Sequence, residues 1–118
     1  MTNDNDIMIA DSQICLYRAV SDAEFYSILR TNRFSIHPKG AQVKYFGLSF
    51  EETVDFANKV TNIDAIAIIE VTVSKAILDR IGDYTHVDPF IFRSGTVIIP
   101  AGDLDEFNQA IMEIIHKY

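Results

Sequence analysis

Lys44–Ala57, KYFGLSFEETVDFA, holds the feature on which the reading of the whole chain turns. Tyr45–Leu48 reads as a short strand that runs through Ser49 directly into a helix. Ser49 is a good N-cap, with Glu52 three residues later at the capping-box position. Val54, Ala57 and Val60 follow at helical spacing, with Asp55, Asn58 and Lys59 on the other side. An aromatic pair, a hydroxyl and a helix N-terminus thus meet at one corner. Such a corner suits a ligand with phosphates, a ribose and a flat ring, and it equally makes an ordinary strand-to-helix turn.

Outward from this corner, the N-terminal side begins with a polar segment, residues 1–12, expected to be flexible. Residues 13–118 are expected to form a single domain. Ile14–Val20 is an apolar stretch of strand length, and alternation puts Ile14, Leu16, Arg18 and Val20 on one face. An arginine on that face needs a carboxylate, carbonyl oxygens or a ligand phosphate, unless it snorkels to water from the strand end. Ser21 and Glu24 form a second capping box before a helix whose core stripe is Phe25, Ile28 and Leu29, with Asn32 as its stop. Phe34-Ser35-Ile36 reads as a short strand, and His37-Pro38-Lys39-Gly40 as a loop and candidate lid.

Beyond the corner, Thr61-Asn62 is a turn. Ala65–Val73 is the strongest strand signal, apolar on both faces in its first half, as a central strand would be. Ser74 caps a short helix, Lys75–Ile81, ended by Gly82. Asp83–Phe90 reads as a loop, and Phe90–Phe92 and Gly95–Ile99 as two short strands. Asp103 then caps a final helix, whose core stripe is Leu104, Phe107, Ala110, Ile111, Ile114 and Ile115. The order β-α-β-β-α-β-α-β-β-α, without GxGxxG after the first strand, predicts an α+β domain rather than a Rossmann fold.

Composition narrows the function. With 118 residues, the chain holds one core. A net charge of −7 without a basic stripe argues against binding double-stranded nucleic acid. The single cysteine, Cys15, excludes an internal disulfide and a cysteine cage for a metal. His37, His86 and His116 lack ligand spacing, so no metal site is expected. No apolar run reaches membrane-span length, and the acidic start lacks the basic region of a secretory signal; cytoplasmic synthesis is expected, while export by a dedicated secretion system would leave no mark in the sequence.

Leu16-Tyr17-Arg18-Ala19-Val20-Ser21, Lys44-Tyr45-Phe46-Gly47-Leu48-Ser49 and Gly95-Thr96-Val97-Ile98-Ile99-Pro100 together resemble the ADP-ribosyltransferase superfamily. The similarity is to small domains at the ends of bacterial polymorphic toxins, and it spans about Ile14 to the last helix. It implies two small packed mixed β-sheets, flanked by short helices, with a central cleft for NAD as substrate. It places Arg18 against the nicotinamide ribose or phosphate, and Ser49 on a ribose hydroxyl. Phe46 and Phe56 would sandwich the nicotinamide ring, although buried phenylalanines are more often plain core residues. Tyr17 lines the same cleft. The family's catalytic glutamate falls on Thr96, which carries no charge to stabilise a developing cation. Asp88, Glu51 and Glu52 are the candidate stand-ins. The resemblance implies an NAD-using transferase or glycohydrolase of toxin type. The alternative is an inactive member that binds a protein or a small nucleotide.

Overall fold

The computed structural model describes residues 12–35, 43–59 and 65–117. The candidate lid His37–Gly40, the Thr61-Asn62 turn and nearly all of the segment 1–12 lie outside these residues. Six strands form a single sheet: β1 (Gln13–Val20), β2 (Val43–Gly47), β3 (Ala67–Ser74), β4 (Asp83–Thr85), β5 (Thr96–Pro100) and β6 (Ile111–His116). Their spatial order is β4-β5-β2-β1-β3-β6, and every pairing is antiparallel. The helices are α1 (Asp22–Thr31), α2 (Phe50–Lys59), α3 (Lys75–Ile81) and α4 (Leu104–Gln109). The fold is α+β. The expected pair of mixed sheets is corrected to one antiparallel sheet.

That sheet is pinched in the middle. β1 registers with β3 along its whole length, from Gln13 opposite Ser74 to Val20 opposite Ala67. β2 registers with β5 just as fully, from Val43 opposite Pro100 to Gly47 opposite Thr96. Between β1 and β2 the register is a single pair, Tyr17 opposite Gly47. Beyond it the strands part, leaving two three-stranded halves joined at one point.

One face carries the core. Leu16, Val20, Phe46, Ile69, Val71, Val73, Val97 and Ile99 come from the strands, and Ile28, Leu78, Ile81, Leu104 and Phe107 from α1, α3 and α4. Phe34, Phe46 and Phe107 stack edge-on and tilted at 5.1–6.0 Å between ring centres. The opposite face is crossed by α2, which packs on β1 and β2. Gly47 permits that approach, since a Cβ there would stand 2.5 Å from Thr53 Oγ1 and 2.9 Å from Phe92 Cε1.

Helix ends follow the sequence closely. Ser21, Ser49 and Ser74 each accept the backbone N–H three residues on. Asn32 ends α1 in the left-handed conformation, φ 56°. Elsewhere the chain departs from expectation. Phe34 and Ser35 are not in a strand; the Asn108 amide bonds both the N–H and the C=O of Phe34 at 2.8 Å, replacing a strand partner. Asp83–Thr85 is a strand rather than loop, and Phe90–Phe92 belongs to a turn held by Ile91 and Phe92 N–H on the Asp88 carbonyl. Asp103 makes no side-chain cap, and Glu106 pairs with Arg80.

The final helix stops at Gln109, where the sequence predicts it to run on to Ile115. Ile111–His116 instead becomes β6, with Ile114 opposite Val71 and Ile115 opposite Glu70. Two effects favour the strand. Isoleucine loses rotamer freedom in a helix, and β3, buried on both faces, needs a backbone partner on its outer side.

Candidate functional site

The parting of β1 and β2 opens a cavity of about 380 Å³. Consecutive residues of each strand line it: Tyr17, Arg18 and Ala19 from β1, and Tyr45, Phe46 and Gly47 from β2. Neighbours on a strand point to opposite faces, so a hollow lined by all of them lies in the gap between the strands. Phe56, Phe92, Val87, Asp88 and Thr96 complete the wall on the α2 side.

Arg18 answers the question posed by its place between Leu16 and Val20. Its Nε and Nη2 donate to Glu24 Oε2 and Oε1 at 2.6 and 3.0 Å, a two-pronged pair. Its Nη1 donates to the Tyr45 carbonyl at 2.8 Å, bridging β1 to β2 where backbone pairing has stopped. The guanidinium also lies 5.9 Å from the centre of the Phe46 ring. Lys44 Nζ reaches the same carboxylate, at 3.4 Å from Glu24 Oε2. Burial pushes the Glu24 carboxyl up, but the hydrogen bonds and charge of Arg18, helped by Lys44, outweigh it and hold the group below the usual carboxylate range. Burial, with Arg18 nearby, pulls the Lys44 ammonium down against the opposing pull of Glu24.

This triad joins two cations to one carboxylate; Arg18 and Glu24 line the cavity, and Lys44 stands behind them, outside the lining. Three of the five guanidinium N–H groups are engaged, and the other two have no partner among the described residues. The arginine side chain keeps 20 % of its surface exposed.

The other expected site residues fall as follows. Tyr17 lines the cavity while its hydroxyl donates to Glu70 Oε2 at 2.8 Å; burial first, and then that carboxylate, drive the phenol pKa upward. Phe56 lies 5.1 Å from Phe92, and these rings form one aromatic wall. Phe46 touches the hollow but is 1 % exposed and locked into the core cluster, so it offers little ring face for a sandwich. Thr96 is 2 % exposed; its hydroxyl donates to the Thr85 carbonyl at 3.2 Å and lies 3.4 Å from the Val87 N–H. Ser49 does not line the cavity; its oxygen caps Glu52 N–H at 3.3 Å and lies 3.4 Å from Glu51 Oε1.

Of the three candidate carboxylates, the structure leaves one at the cavity. Glu52 does not return to Ser49 as a capping-box partner. It accepts from Ser94 N–H at 3.0 and 3.2 Å and from Ser94 Oγ at 2.8 Å, fastening α2 to the turn before β5. Glu51 leans on Ser49, and Asp88 lines the wall.

Glu24, Lys44 and Phe92 escaped the sequence reading. Glu24 sits at the third helical position, where a cap explains it, and only the fold turns it toward Arg18. Lys44 had a signal: in strand alternation it shares a face with Phe46, so a second cation points toward the core. Among the described residues, no cluster of His, Cys, Asp or Glu is arranged to hold a metal ion, and no helix is long and apolar enough to cross a membrane. In comparisons with known proteins, the sequence matches no family model, and no curated protein matches it significantly.

Proposed function

We propose that the cavity between β1 and β2 binds NAD, with Arg18 as its anionic anchor, and that the chain is an NAD-using transferase or glycohydrolase of toxin-like type. One observation carries the reading: Tyr17, Arg18, Phe46, Phe56 and Thr96, marked by the resemblance on three separate strands and a helix, line one hollow. The size is suitable, since small-molecule sites run to about 300–1,000 Å³. The two guanidinium donors of Arg18 that have no partner among the described residues suit a diphosphate, and the Phe56–Phe92 wall suits a flat ring. Two strands joined at a single pair also fit a family whose cleft lies between two small sheets.

In such a reaction the bond from C1′ of the ribose to the nicotinamide nitrogen breaks, and both electrons pass to the ring, cancelling its positive charge. The sugar becomes an oxocarbenium ion. Water or an acceptor hydroxyl, amine or carboxylate then adds at C1′; the neutral nucleophiles give up a proton as they do so.

Thr96 favours a second reading, in which the domain binds a nucleotide without cleaving it. Its hydroxyl is spent on the β4–β5 connection, and it brings no charge to the cavity. Calorimetric titration with NAD, followed by chromatographic assay of nicotinamide, separates the two. Binding with release supports the enzyme, and binding without release supports the nucleotide module. Arg18→Lys keeps the charge but loses the two-pronged geometry, and should weaken NAD binding about ten-fold or more. Failure of the unsubstituted protein to bind NAD at millimolar concentration overturns the NAD reading.

A further inference from the structure

We infer that Asp88 is the carboxylate that faces positive charge on the ligand in this cavity, an inference that rests on the NAD reading above. The triad supplies positive charge at the strand gap, and Asp88 supplies negative charge on the wall formed with Val87, Phe92 and Thr96. A ligand matched to both carries an anionic group and a cationic one. NAD fits that description, with its diphosphate and its positively charged nicotinamide ring.

The backbone around Asp88 is held in one conformation, and the residue itself is exposed. Asp88 adopts the left-handed conformation, φ 48°, which few residues other than glycine accept. Its carbonyl takes the N–H groups of Ile91 and Phe92 at 2.9 and 2.8 Å, so one tight turn sets both the aspartate and the Phe92 ring. Glycine or asparagine would satisfy this turn equally well, and neither would bring a charge. Glu51 and Glu52 are held elsewhere, and Glu24 is neutralised by two cations. Asp88 is therefore the wall carboxylate left for a ligand among the described residues.

NAD+ and NADH differ by one positive charge on the ring, which makes the pair a direct probe. The unsubstituted chain should bind NAD+ about ten-fold more tightly than NADH, the effect of one charge contact in a partly exposed site. Asp88→Asn, chosen because asparagine accepts the same backbone, should bring that ratio to about unity. Asp88→Gly repeats the test with a second residue suited to the turn. A preference for NAD+ that survives both substitutions overturns the inference and leaves the NAD reading standing. Equal binding of the two dinucleotides by the unsubstituted chain also overturns it. If neither dinucleotide binds, the NAD reading fails and takes this inference with it.

Discussion

Glu24→Gln tests whether the ion triad holds the divided sheet together. The substitution keeps the shape of the side chain and removes the one negative charge between Arg18 and Lys44. Unit charges about 4 Å apart interact by about 4 kcal/mol at the effective dielectric suited to protein sites. Taking three charged groups out of water offsets part of this, so the net worth of the triad is smaller than its Coulomb energy. Removing one partner, however, leaves two cations facing each other, and such losses cost about 3–5 kcal/mol when the pair is buried. The three side chains keep 10–20 % exposure, which puts the expected loss near the lower end, about 3 kcal/mol. Thermal melts at pH 7 should show a fall in Tm on the order of 10 °C. The sign of the pH dependence follows from the lowered Glu24 pKa. The unfolded chain takes up the proton first, so the contribution is complete above about pH 5 and fades as pH falls through the lower folded value. The gap between the two proteins should therefore narrow below about pH 4. Equal melting temperatures at pH 7, or a gap that persists unchanged to about pH 2, would refute the reasoning.

Gly47→Ala places a methyl group 2.5 Å from Thr53 Oγ1 and 2.9 Å from Phe92 Cε1, and urea unfolding should show a loss of about 2 kcal/mol. Thr96→Val removes two hydrogen bonds beneath the cavity wall and should cost about 1–2 kcal/mol without altering NAD affinity; a large drop in affinity by calorimetry would give the hydroxyl a ligand role instead. The Tyr84 phenol is pushed up to about 12 by burial and by its bond to Asp79, so stability should decline as pH climbs from the ordinary tyrosine value toward that one. Phenolate absorbance should show its titration moving back down in Asp79→Asn. If the chain releases nicotinamide, Asp88→Asn should slow release about 100-fold with NAD binding weakened far less, read by the same chromatographic assay.

Local rules made the corner around Ser49 legible, because a cap and a helical stripe are properties of neighbouring residues. The three serine caps, the Asn32 stop and the place of β3 between two other strands follow from such rules. The stretch 111–116 did not yield to them. Ile111, Ile114 and Ile115 fit both a helical and a strand pattern, and the free edge of β3, some forty residues away, decides between them. Arg18 is intermediate. Alternation showed that it needed a partner, while the choice of Glu24 required the start of α1 to fold back over the strand gap. Glu52 misled because a capping box and a long-range bond to Ser94 call for the same residue type.

The division of the sheet links stability to any function at this site. A continuous antiparallel sheet would satisfy the inner edges of β1 and β2 with backbone bonds and leave no hollow between them. Here the strands meet at Tyr17 and Gly47 and then diverge, and an arginine side chain spans to the Tyr45 carbonyl. That arrangement places a guanidinium within the fold and obliges α1 to bring a carboxylate to it. Lys44 then adds a second cation, so the support of the gap is charged more strongly than neutrality requires. The surplus charge is costly in a half-buried place unless something anionic shares it. An anion seated on the two Arg18 N–H groups that have no partner among the described residues should therefore stabilise the protein as well as bind to it. Raising NAD from zero to about a hundred times its Kd should add about 2.7 kcal/mol to the unfolding free energy. Pyrophosphate should reproduce part of that gain if the anion alone supplies it, and a chain stabilised equally by neutral nicotinamide would place the binding energy in the aromatic wall.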